Sequence, residues 1–137
     1  MTEPTTESVT GKAAPALRLA GYVLDSPEPR KLAAFYQRLL GWPLGSDEPT
    51  WVTLVPPTGR PTLGFQLEPV YNPPTWPGRP DSPQMMAHLD IGTDDVAAAV
   101  AHATAAGATL ADFQPQEDVR VMVDPDGHPF CLFLQEE

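Results

Sequence analysis

Hydrophobic and polar positions alternate between two periods along this chain, and the order of those periods repeats. Leu17 to Leu24 forms an apolar run containing Tyr22 and Val23, which predicts a strand closed by Pro27 and Pro29. Leu32, Phe35, Tyr36, Leu39 and Leu40 then recur at helical spacing, with Arg30, Lys31, Gln37 and Arg38 on the other positions and Gly41 as the stop. Three β-type pieces follow: a short one near Leu44, Trp51 to Val55, and Thr62 to Leu67. Pro56-Pro57-Thr58-Gly59 supplies the turn between the last two.

The second half has the same order. Met85 to Gly92 reads as a strand, with Ala87, Leu89 and Ile91 alternating against Met86, His88 and Asp90. Asp94 or Thr93 is placed to cap an alanine-rich helix that Gly107 ends. Ala108 to Phe113, Val119 to Val123 and Phe130 to Leu134 follow as strands. Asp124-Pro125-Asp126-Gly127 has the proline and glycine that a hairpin turn requires. The prediction is therefore an α+β fold of two tandem βαβββ modules. Its spacing is regular: 67 positions separate Gly21 from His88, and 66 separate Gly41 from Gly107.

Composition changes this picture in one place. Six of the 18 prolines fall between Pro69 and Pro83, too densely for a regular element, since each removes a backbone donor and fixes its own φ. The expected organisation is a flexible tail over 1–15 and one domain over 16–136. Within it, modules over 16–68 and 85–136 are joined by a Pro-rich connector over 69–84.

Charge and cysteine content narrow the function. A formal net charge of −10 repels phosphate backbones and anionic lipid, so nucleic acid and membranes are not expected partners. The start of the chain carries no apolar signal segment, and the single cysteine, Cys131, fits a reducing compartment. Cytoplasm is the expected location. No phosphate-binding glycine loop, nucleophile elbow, Cys-x-x-Cys pair or His-x-x-x-His helix occurs.

Ala34-Phe35-Tyr36 and Leu40-Gly41-Trp42 mark the end of the first helix. His88-Leu89-Asp90 precedes the second helix, Gly107-Ala108 follows it, and Asp124 to Leu132 reads DPDGHPFCL. In this order and spacing, over roughly 17 to 135, these residues resemble the vicinal oxygen chelate superfamily. That group includes glyoxalase I, extradiol dioxygenases and bleomycin-resistance proteins, and the chain looks most like the small glyoxalase-like domain proteins. The resemblance implies a cup-shaped, curled mixed sheet with the helices outside, and commonly a homodimer. In metal-using relatives four ligands enter the cup from the first and last strands of each half. Carried over residue by residue, those positions are Gly21, Gln66, His88 and Cys131, the last and Gln66 being 65 positions apart.

These occupants are poor as a metal set. Glycine has no ligand atom, Gln66 is a neutral donor, and the sulfur of Cys131 does not suit Mn, Fe or Ni. Catalytic sites commonly use about three good protein ligands. The expectation is therefore no cofactor, with a divalent metal as the alternative. The chain then reads as a binder of a small, partly apolar molecule, in the manner of sequestration and resistance proteins. A metal-dependent lyase or dioxygenase, and a non-catalytic assembly module, remain open. Candidate ligand-binding residues are Gln66, His88, Asp90, Cys131, Trp51, Trp76, Tyr71, Met86 and Phe113. Catalytic residues are not assigned. Blander readings accompany these: a satisfied core histidine for His88, a locally bonded Asp90, a buried inert thiol for Cys131, a turn-serving His128 and a solvated His102.

Overall fold

The computed structural model describes residues 14–135, so the expected tail lies almost wholly outside the described residues. Two four-stranded mixed sheets and two helices make up the fold. In the first module, β1 (Gly21–Ser26) leads to α1 (Pro29–Leu40), then β2 (Leu44–Glu48), β3 (Trp51–Leu54) and β4 (Thr62–Leu67). The second runs β5 (Leu89–Thr93), α2 (Val96–Ala106), β6 (Thr109–Leu110), β7 (Val119–Val123) and β8 (Pro129–Leu134). The sheet orders are β1-β4-β3-β2 and β5-β8-β7-β6, each with one parallel pair, β1 with β4 and β5 with β8. The duplicated βαβββ unit predicted from the sequence is the fold of the protein. The sheets do not close on each other, which leaves a curled cup.

Local chemistry explains the boundaries that differ from the sequence reading. β1 begins at Gly21, not Leu17, and Leu17 and Leu19 are exposed ahead of it. Its partner β4 is preceded by Pro61, which has no N–H to extend the ladder. β5 likewise begins at Leu89 rather than Met85, because the matching partner beyond Phe130 is Pro129. The second helix is capped by Asp95, whose carboxylate accepts from Ala98 N at 3.0 Å. Thr93 instead accepts from Asp95 N, and Asp94 makes no cap. The strand expected over Ala108 to Phe113 stops at Leu110. Beyond it the side-chain amide of Gln114 takes over the edge of β7, donating to Val121 O and accepting from Val121 N. Glycine stops occur where expected, with Gly41 at φ 75° and Gly127 at φ 98°.

Both helices pack on one side of the sheets, α1 on β3 and β4, α2 on β6 to β8, and they touch each other. An aromatic cluster crosses the module boundary there: Tyr36 stacks on Phe65 with centroids 5.6 Å apart, and Phe35 and Tyr36 each lie 6.1 Å from Phe130. Polar bonds reinforce this seam. Arg38 donates to Ala106 O at 2.7 and 3.1 Å. His102 is exposed but not merely solvated, since its Nε2 donates to Leu39 O at 3.1 Å. The connector forms no helix or strand, only a bridge between Thr75 and Gln84.

Candidate site in the cup

Strand alternation decides which residues face the cup. Phe65 and Leu63 point to the helices, so Thr62, Gly64 and Gln66 point the other way, together with their ladder partners Gly21, Val23, Asp25, Trp51 and Thr53. In the second module Phe130 and Leu132 fill the core, which turns Cys131 and Phe133 to the cup beside Asp90 and Gly92.

The register settles how the modules correspond. In both parallel ladders 41 positions separate the paired residues, as in Tyr22 with Leu63 and Leu89 with Phe130. With His88 at the repeat position of Gly21, the counterpart of Cys131 is Gly64, and that of Gln66 is Phe133. Gln66 pairs with Asp25 and Trp51, four rows from Gly21, roughly 13 Å along the strand. The four carried-over positions therefore do not form two equivalent pairs.

The first-module half of the site is glycine at both repeat positions, and neither glycine has room for a side chain. A Cβ on Gly21 would lie 2.6 Å from Thr62 Oγ1 and 3.0 Å from Thr62 O. A Cβ on Gly64 would lie 2.8 Å from Cη2 of Trp51, whose indole covers that glycine. Trp51, counted among the aromatics from sequence, thus occupies the place where a first-module ligand would project.

The second-module half is polar. His88 Nε2 lies 3.0 Å from Asp90 Oδ1, and ligand atoms of His88, Asp90 and Cys131 all fall within 4.8 Å of one another. His88 and Asp90 are exposed, so the core-histidine reading does not describe His88. Cys131 is half-buried on the cup face. Burial first, then the negative charge of Asp90, pushes its thiol above the usual value, which keeps it protonated and poorly nucleophilic.

Cavities lie along the seam between β1 and β5. One of about 440 Å³ has Tyr22 to Leu24 on one wall and Ala87 to Asp90 on the other. It adjoins a second of about 380 Å³ reached by Trp42, Leu63 and Ile91, which the sequence marked only as helix-end and strand positions. A third, of about 320 Å³, involves Tyr71, Met86 and His128. Trp51, Gln66, Trp76, Phe113 and Cys131 line none of these three. Trp76 is half-buried with its ring 5.4 Å from Phe113, while Met86 is 92% exposed.

A family model described as a glyoxalase-like domain matches residues 21–133. The chain belongs to the glyoxalase-like domain family. It is thereby a vicinal oxygen chelate protein, as its duplicated modules indicate. Among solved structures, a glyoxalase/bleomycin resistance protein/dioxygenase family enzyme from Burkholderia phytofirmans is 19% identical, with a TM-score of 0.64 over 85% of this chain and 97% of that one. A glyoxalase-related enzyme from Fulvimarina pelagi is 20% identical, with a TM-score of 0.63 over 88% and 89%. A hypothetical protein from S. aureus is 15% identical, with a TM-score of 0.63 over 88% and 96%. At these identities the likeness concerns the fold. A comparison with curated proteins returned no match. Among the described residues no helix is long and apolar enough to cross a membrane.

Proposed function

We propose that this glyoxalase-like protein binds a small, partly apolar molecule in its cup without a metal. The observation that carries the reading is the asymmetry of the site. Gly21 and Gly64 stand at the first-module repeat positions, and the Trp51 indole covers one of them. An apolar surface on one side and the His88–Asp90 pair on the other suit a ligand with an apolar body and one polar group. Sequestration is the version we favour, since burial and the Asp90 charge push the Cys131 thiol up and away from nucleophilic chemistry. A homodimer formed through the cup side, in the cytoplasm, is part of the same proposal. Val23 and Met86 are exposed on that side, and a second copy would cover them.

The test uses an environment-sensitive anilinonaphthalene dye as probe, with metal content measured on the same protein. Saturable one-site binding that survives a chelator and weakens in His88→Ala is expected. Stoichiometric Fe, Mn, Ni or Zn that leaves on chelation together with dye binding would overturn the metal-free reading. A monomeric mass by light scattering at micromolar concentration would overturn the dimer.

One observation favours a second reading, a divalent-metal lyase or dioxygenase. His88, just ahead of β5, Asp90 on β5 and Cys131 on β8 bring imidazole, carboxylate and thiol together. That mixed set suits zinc better than iron or manganese, and a bound ion would act as a Lewis acid on a substrate oxygen. The three residues would hold it from the second module alone.

A further inference from the structure

The charges around the cup are one-sided. The three cavities along the seam are lined by two carboxylates, Asp25 and Asp90, and by no lysine or arginine. Several basic side chains are engaged elsewhere: Arg30 with Asp47, Lys31 with Glu28, Arg38 with Ala106 O, and Arg120 with the carbonyls of Gln116 and Glu117.

Asp90 also lacks the structural work that other acids of this module perform. Asp124 holds the hairpin and Asp95 caps α2, whereas the polar contact of Asp90 is to His88 Nε2, at 3.0 Å. That contact takes Oδ1, and Oδ2 has no hydrogen-bond or ion-pair partner among the described residues. Nor does the duplicated fold require an acid there, since the repeat position of Asp90, 67 residues earlier, is Val23. Asp90 stands, moreover, between two cavities. It lines both the one of about 440 Å³ that contains His88 and the one of about 380 Å³ that reaches Trp42. Apart from Asp90 and two threonines, the second of these is walled by apolar and aromatic side chains, with Tyr22, Trp42, Leu63 and Ile91 among them.

We propose that the ligand of the cup is an apolar cation, its protonated amine or quaternary ammonium held at Asp90 and its apolar body in the Trp42 cavity. This rests on the reading of the cup as a small-molecule site and adds the charge and placement of the molecule. A protonated amine donates to the unpartnered oxygen of Asp90. The ring faces of Tyr22 and Trp42 attract either kind of cation. An anion would face both carboxylates with no basic side chain to replace the water it gives up. The net charge of −10 works in the same direction at longer range, by raising the concentration of cations near the surface.

Competition against an uncharged anilinonaphthalene, N-phenyl-1-naphthylamine, tests this, with chelator present throughout. 1-Naphthylmethylamine and 1-naphthylacetate share an arene and differ in the sign of their charge. Salt at about 0.15 M screens the long-range field, so that the preference reports the site. The amine is expected to displace the dye at a concentration on the order of tenfold lower than the acetate. Asp90→Asn should narrow that ratio by about fivefold, the size expected of one exposed ion pair. Asp94→Asn removes an equal charge from a residue that lines none of the three cavities, and should leave the ratio unchanged. On adding the amine, the indole N–H resonance of Trp42 should shift more than those of Trp51 and Trp76. Absence of saturable dye binding would sink the cup reading itself. Dye that binds and is displaced equally well by the acetate would overturn the cation alone. A preference that survives Asp90→Asn, or falls as far in Asp94→Asn, would overturn the role of Asp90. An unmoved Trp42 resonance would overturn the placement of the apolar body.

Discussion

The hydroxyl of Tyr36 donates to Oδ2 of Asp124 at 2.7 Å, joining the first helix to the second-module hairpin across the module seam. The Asp124 side chain has no solvent exposure. It is satisfied by four groups: Tyr36, the ring of His128, and the backbone N–H groups of Asp126 and His128. Burial, then the Asp124 charge and bond, push the Tyr36 phenol well above its usual value, so it stays a donor. Tyr36→Phe removes one of these donors from a buried carboxylate and leaves the ring packing in place. The expected cost is roughly 1–3 kcal/mol, read as a lower urea midpoint with an unchanged slope. A loss within experimental error would mean that water replaces the phenol.

Cys131 should behave as a slow thiol. Its folded value is raised, so the reactive thiolate is scarce near neutral pH and grows only as pH rises past the ordinary thiol value. Iodoacetamide labelling of native protein should be several-fold slower than that of unfolded protein, and should climb with pH. Asp90→Asn removes the second cause of the shift and should speed labelling at fixed pH. No acceleration would show that burial alone sets the reactivity.

The architecture was legible because periodicity reports burial directly. The apolar face from Leu32 to Leu40 and the alternation from Val119 to Val123 each needed only a local window. Strand ends were less legible, since they depend on a partner's Pro61 or Pro129 many positions away. In the site, His88, Asp90 and Cys131 were named from sequence and do lie together. Gly64 was missed although the 67-position offset that relates Gly21 to His88 also relates it to Cys131, and the equal 41-position registers of the two parallel ladders carry that offset across both strands. Tyr71 was read as an aromatic of the connector. Its partners, Asp126 and His128, stood in view in the DPDGHP turn, with nothing to say what would reach them.

The start of α2 offers a clean comparison of neighbouring residues. Asp95 accepts from Ala98 N at 3.0 Å, and Asp94 caps nothing. Asp95→Ala should cost about 1 kcal/mol, whereas Asp94→Ala should stay within about 0.5 kcal/mol. Thermal unfolding of the two variants side by side would decide it. Equal losses would place the cap elsewhere.

The indole over Gly64 is the most direct handle on the cup. A methyl on Gly64 would sit 2.8 Å from Trp51 Cη2, closer than carbon atoms approach, so the ring must move. It cannot move toward the helices, because Phe65 and Leu63 fill that side of β4. It must tilt toward the open cup. In a background of Trp42→Phe and Trp76→Phe, Gly64→Ala should therefore raise iodide quenching of Trp51 by about twofold, on the order expected when a half-buried ring becomes mostly exposed. The unfolding midpoint should fall by no more than a modest overpacking cost of about 1–3 kcal/mol. If dye binding in the cup rests on Trp51, it should weaken in the same variant. Unaltered quenching would mean that the indole does not cover Gly64 in solution, and the reading of a one-sided site would lose its first-module half.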